Sequence, residues 1–175
     1  MSERRLFFAL WPDHRQRESL RDPIKAALAP VEGQFVERAN WHVTLVFLGA
    51  FPEERIPALG EAAAGVPVEP FRLRFDRLEF WARPRIACLA ASAVPAELGA
   101  LVDALETAAA GCGHRPEDRP YRPHLTVARR ARPFTAGPLA QPVTLDCDGL
   151  ALVEYVSGPG GVRYLPLKQG RTPIT

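Results

Sequence analysis

The chain is poor in several residue types. Of 22 basic side chains only Lys25 and Lys168 are lysine, methionine occurs once, and there are three cysteines and four histidines in 175 residues. Cys88, Cys112 and Cys147 are odd in number, widely spaced and form no C-x-x-C pair. That pattern excludes a disulfide framework and a tetrahedral zinc site and leaves buried or incidental thiols. Apolar runs fall far short of the ~20 residues that span a bilayer. The opening stretch "MSERRLFFALWPDHR" lacks a small-residue cleavage site, so it reads as a first strand and not as a signal peptide, which places the chain in the cytoplasm. A net charge of only +2 gives no strong footprint for duplex DNA. No HExxH, Asp-rich loop or carboxylate cluster accompanies the histidines, so neither a metal nor another cofactor is expected.

What is present is 47% hydrophobic residues, enough for one domain, residues 1–175, with a proper core. The bias towards arginine fits bidentate phosphate contacts, although a GC-rich genome produces the same bias. Alternation and helical spacing predict strands over 6–10, 34–38, 42–48, 71–78, 85–91, 124–128, 143–156 (broken at Asp148-Gly149) and 162–167. Helices are predicted over 13–28, capped by Asp13, over 52–64 and over 95–110. His14 and His114 fall in a helix start and a loop and read as surface residues.

One small pattern occurs twice. "WHVTLVFLG" holds His42-Val43-Thr44 and "PHLTVAR" holds His124-Leu125-Thr126, nearly half the chain apart. Successive strand residues point to opposite faces. Each strand therefore presents an imidazole beside a hydroxyl, His42 with Thr44 and His124 with Thr126. Val43, Leu45 and Phe47 are expected to face the core. A single H-x-T triplet carries little information, but a pair at half-chain separation predicts a duplicated α+β unit with the imidazoles face to face across a pseudo-two-fold axis. Two histidines can divide proton transfer, one giving and one taking, while hydroxyls hold phosphate oxygens. That chemistry suits metal-free cleavage of a phosphodiester.

These motifs resemble those of the two-histidine (2H) phosphoesterase superfamily. "RRLFFALWP", "PEDRPYRPHLTVAR" and "VEYVSGPGGVRY" are similar to its RNA 2′,3′-cyclic phosphodiesterase, or 2′–5′ RNA ligase, branch. The resemblance implies a bilobed α+β fold with two antiparallel sheets lining a groove and helices outside. It implies hydrolysis of RNA or nucleotide termini bearing a 2′,3′-cyclic phosphate to a 2′-phosphate, with His42 as proton donor and His124 as proton acceptor. Thr44 and Thr126 would hold phosphate oxygens, and replacing water by a 5′-hydroxyl would form a 2′–5′ bond. The family's arginine five positions after the second histidine is Arg129 here, which is expected to reach the phosphate; strict alternation favours Arg130, but a bulge or the strand end can re-aim either one. Phe7 and Phe8, and Phe8 before Phe7, are candidates for stacking on a base, against the commoner role of packing a first strand. No membrane or obligate protein partner is expected, and a monomer is the default. The alternatives are a non-catalytic RNA-binding module and a 2H enzyme for another cyclic phosphate, such as an ADP-ribose derivative.

Overall fold

A computed structural model describes residues 2–171, with side chains to residue 167. Its elements in chain order are β1 (Glu3–Leu10), α1 (His14–Ala27), β2 (Gln34–Phe35), β3 (Val43–Pro52), α2 (Ile56–Ala64), β4 (Phe71–Trp81), β5 (Ile86–Ala90), α3 (Ala96–Gly111), β6 (His124–Arg129), β7 (Gly137–Cys147), β8 (Gly149–Gly158) and β9 (Gly161–Arg171). Asp13 caps α1 through a reciprocal pair of bonds. Its Oδ1 accepts from the Gln16 amide at 2.8 Å, and its own amide donates to Gln16 Oε1 at 2.8 Å. The helix expected from residue 52 starts later. β1 holds β3 in register as far as Glu3–Pro52, and a 3₁₀ turn over Glu53–Arg55 intervenes. β7 starts earlier than its apolar alternation suggests. It is an edge strand, where Pro138 and Pro142 leave no internal ladder bond unmade.

The strand order is β7-β4-β5-β6-β3-β1-β8-β9, with short β2 beside β6 and every pairing antiparallel. The two expected sheets are the halves β3-β1-β8-β9 and β6-β5-β4-β7. They meet where β3 and β6 pair at a single position, Val43 opposite Leu125. The halves repeat a plan: β1-α1-β3 in one, β5-α3-β6 in the other, each strand pair bridged by a long helix.

The helices do not stay with their own half. α1 packs against β7 and sends Gln16 Nε2 to the Asp146 carbonyl at 2.6 Å, while α3 packs against β3. One core results, drawing Leu6, Phe8 and Leu10 from β1, Leu73 and Phe75 from β4, Leu98 and Leu105 from α3, and Leu125 from β6. Phe8 is 0% exposed within that core. Its strand parity turns it under the helices, so it cannot stack on a base. Phe7 points to the opposite face, in a smaller cluster with Ala9, Ala151 and Val153.

Val43 and Leu125 are both fully buried at the seam. Leu125→Ala should therefore cost about 2–5 kcal/mol of stability, read as a lower denaturant midpoint at unchanged slope.

Candidate active site

Two bulges decide which side chains reach the surface above the seam. Along β3 the partners run Ala9–Thr44, Phe8–Val46, Phe7–Phe47, so Leu45 is an inserted residue. Before the insertion Thr44 shares the face of His42, as alternation requires. After it the parity reverses. Phe47, expected in the core, is consequently 44% exposed. On β6 the partners run Cys88–Thr126 and then Ala87–Ala128, so Val127 is the inserted residue. Val127 and Ala128 are both buried, and Arg129 returns to the face of His124 and Thr126. Arg130 leaves the strand at φ 48° and is exposed.

The two imidazoles are held in the same way. His42 Nδ1 lies 2.7 Å from the Asn40 carbonyl and His124 Nδ1 lies 2.8 Å from the Arg122 carbonyl, in each case two residues upstream. A carbonyl only accepts, so Nδ1 carries a proton in both rings and Nε2 is the atom left for chemistry. His42 lies against Phe7 (ring centroids 5.0 Å), Trp11 (5.7 Å, stacked) and Tyr164 (5.0 Å). The small side chains of Ala9 and Ala151 in the same layer leave room for the ring. Arg17 braces this wall, lying 5.0 Å over the Trp11 ring and donating from Nη2 to the Trp41 carbonyl at 3.2 Å.

His124 has a different support. Trp81 lies 4.3 Å from its ring centroid to centroid. Glu79 Oε2 accepts from Trp81 Nε1 at 2.7 Å and from Arg122 Nη2 at 2.9 Å, and the Arg122 guanidinium covers the Trp81 ring at 4.7 Å. Burial lowers the proton affinity of both histidines. It takes His42 down to about 4, and the charges of Arg129, His124 and Arg17 push the same way against the Asn40 bond. His124 is also lowered, first by burial, with its bond to the Arg122 carbonyl and the Glu79 carboxylate opposing. Both rings are thus neutral at pH 7 when the site is empty.

Arg129 belongs to the His42 side of the site. Its Nη2 donates to the Tyr164 hydroxyl at 2.7 Å, and its charge acts on His42. Thr44 and Thr126 are half-buried on the same surface. The backbone of β3 is secured here by Tyr121, whose hydroxyl donates to the Thr44 carbonyl at 2.9 Å. Tyr164, Trp11, Trp81 and Glu79 were not singled out from sequence. Tyr164 lies on β9, more than a hundred residues from His42, and only the strand order brings it there. The alternation of Glu79 and Trp81 on one strand face was a readable hint, though nothing in sequence tied them to His124. His14 is exposed, as expected. His114 is not a surface residue: its side chain is 8% exposed, with Nε2 3.5 Å from Glu106 Oε2 at the end of α3. No group of three or more His, Cys, Asp or Glu side chains able to hold a metal occurs among the described residues.

The model of the 2′-5′ RNA ligase superfamily matches residues 11–159. The chain belongs to that superfamily. As a member it shares 31% identity with the RNA 2′,3′-cyclic phosphodiesterase of Escherichia coli, over 97% of each chain. It shares 30% with the protein of the same name from Thermus thermophilus, over 94% of this chain and 88% of that one. Its fold superposes on the crystal structure of E. coli LigT complexed with 3′-AMP with a TM-score of 0.84 at 29% identity, covering 99% and 100% of the two chains.

The Glu79 carboxylate favours the imidazolium form of His124. Glu79→Gln, which keeps an acceptor and drops the charge, should lower the His124 pKa further in an NMR titration. An unchanged or higher value would contradict the geometry.

Proposed function

We propose that this superfamily member hydrolyses 2′,3′-cyclic phosphate ends of RNA or nucleotides to 2′-phosphates by histidine acid–base catalysis, with residues 1–175 acting as one 2H phosphoesterase domain. The observation that carries the reading is the pair of His-x-Thr strands meeting at the Val43–Leu125 seam, each imidazole tied through Nδ1 and free at Nε2. The names of the relatives from E. coli and T. thermophilus point to the same reaction.

In this mechanism His124 Nε2 takes a proton from water as the water oxygen attacks phosphorus. The P–O3′ bond breaks, and the proton on His42 Nε2 passes to O3′. The products are a 2′-phosphate and a free 3′-hydroxyl. Thr44 and Thr126 donate to the non-bridging oxygens, and Arg129, held by Tyr164, offsets the charge that accumulates there. His42 is neutral in the empty site, so the phosphodiester anion itself supplies the counter-charge that puts the proton on Nε2. A 5′-hydroxyl in place of water would give a 2′–5′ linkage by the same proton transfers. Both transfers are made by imidazole, so the scheme uses no cofactor. No helix among the described residues is long and apolar enough to cross a membrane. The reading includes a cytoplasmic monomer that meets its substrate without an obligate partner.

His42→Ala and His124→Ala should each lower kcat/KM on a nucleoside 2′,3′-cyclic phosphate by at least about 10²-fold, in a product-resolved assay that separates 2′- from 3′-phosphate. Retention of activity by both single variants would end the proposal, and binding of the substrate without turnover would leave a phosphate-binding module. EDTA should have no effect on the rate.

The pH profile follows from the two lowered histidines. Catalysis requires one imidazole protonated and one neutral, and kcat/KM reports the free enzyme. With His42 near 4 and His124 below the ordinary 6.5, the singly protonated form peaks below pH 6.5 and declines as pH rises. An alkaline limb above pH 7 would contradict these environments.

A further inference from the structure

Phe47 lies opposite Phe7 on β1, and the Phe7 ring stands against His42. Beyond Val43 no residue of β3 pairs with β6 among the described residues, so that edge stays open along Phe47. Phe47 is three residues beyond Thr44, on the order of 10 Å along the strand, and 44% exposed. Beside it opens a pocket of about 300 Å³ whose walls include Phe47, Ala50, Arg55, His114, Arg115 and Glu117.

Two of those walls are arginines. Neither Arg55 nor Arg115 makes an ion pair among the described residues, whereas Glu117 is paired with Arg119. The guanidinium end of Arg55 lies against Gly113. Gly113 adopts φ +94°, and a Cβ there would fall 2.3 Å from Arg55 Nη1, so the absence of a side chain leaves the guanidinium its place. An exposed ring beside two guanidinium groups that make no ion pair matches the two parts of a nucleotide, a π-face and a phosphate.

We propose that this pocket is a subsite for the nucleotide preceding the cyclic end, its base on Phe47 and its phosphate on Arg55 and Arg115. The inference rests on the phosphodiesterase reading above and adds a second point of substrate recognition to it. It makes short RNA a better substrate than a free nucleoside cyclic phosphate, because the second nucleotide contributes binding energy that the mononucleotide lacks. The contact is sequence-tolerant, since every base offers a face to stack.

The test compares kcat/KM on adenosine 2′,3′-cyclic phosphate and on a trinucleotide ending in a 2′,3′-cyclic phosphate. The wild type should favour the trinucleotide. Phe47→Ala should lower the trinucleotide value by about tenfold, within the range for loss of one base–aromatic stack, and leave the mononucleotide value unchanged. Phe47→Leu, which keeps the bulk and loses the ring, should act the same way if the alanine variant folds poorly. Arg55→Gln combined with Arg115→Gln should also act only on the trinucleotide and flatten its salt dependence. Equal effects on both substrates, or none on either, would overturn the subsite. If the wild type turned over neither substrate, the phosphodiesterase reading would fall instead. The pocket would then be judged by the affinity of a fluorescent trinucleotide 3′-phosphate, and equal affinity in wild type and Phe47→Ala would remove it.

Discussion

The two halves of the sheet meet at one residue pair, Val43 opposite Leu125. Each of these residues directly follows a histidine of the site, so the seam fixes the spacing between His42 and His124 more directly than any other contact. A longer ladder between β3 and β6 would close the groove above it, and a shorter one would leave the imidazoles unregistered. The rest of the architecture reinforces this narrow join. α1 reaches across to β7, α3 reaches across to β3, and Tyr121 ties the open edge of β3 beside Thr44. Side-chain packing thus does at the seam what backbone hydrogen bonds do elsewhere in the sheet.

The two histidines share a backbone device and differ in everything around it. A carbonyl two residues upstream holds each Nδ1, which sets the tautomer without placing an acidic group in direct contact with either ring. Beyond that, His42 is enclosed by aromatic faces with guanidinium groups behind them, while His124 leans on a tryptophan held by Glu79. Enclosure lowers both proton affinities, and the carboxylate moderates the effect on one side only. Two equivalent positions in a duplicated plan therefore acquire unequal acidities from their neighbours alone.

Much of this was legible in the amino-acid sequence. The His-x-Thr repeats with their apolar partners located the seam, because Val43 and Leu125 had to face a core if His42 and His124 did not. Asp13 announced the start of α1, and Asp148 the break between β7 and β8. Alternation failed where a strand carries an extra residue. Leu45 and Val127 are ordinary apolar residues, and nothing local marks either as a bulge, so Phe47 was assigned inward and Arg129 was opposed by parity. Phe8 shows the converse: its neighbour Phe7 has the same composition, and only parity separates the core from the site. His114 looked like a loop residue because the burial it receives comes from α3, not from its own segment. Tyr164 and Glu79 needed the strand order, which pattern alone does not supply.

The pairing of β1 with β8 sets the order in which the site can be completed during synthesis. β1 emerges before both of its neighbours, one of which arrives about 140 residues later, and β9 with Tyr164 after that. A nascent chain that has already made both histidines still lacks Tyr164, the ring that closes on His42 and the hydroxyl that holds Arg129. Phe7 and Ala9 stay uncovered until Ala151 and Val153 are released to pack with them. Pairings of such high sequence separation form slowly and leave apolar strands waiting. The pair of imidazoles therefore gains its full surroundings only once β8 and β9 have been made.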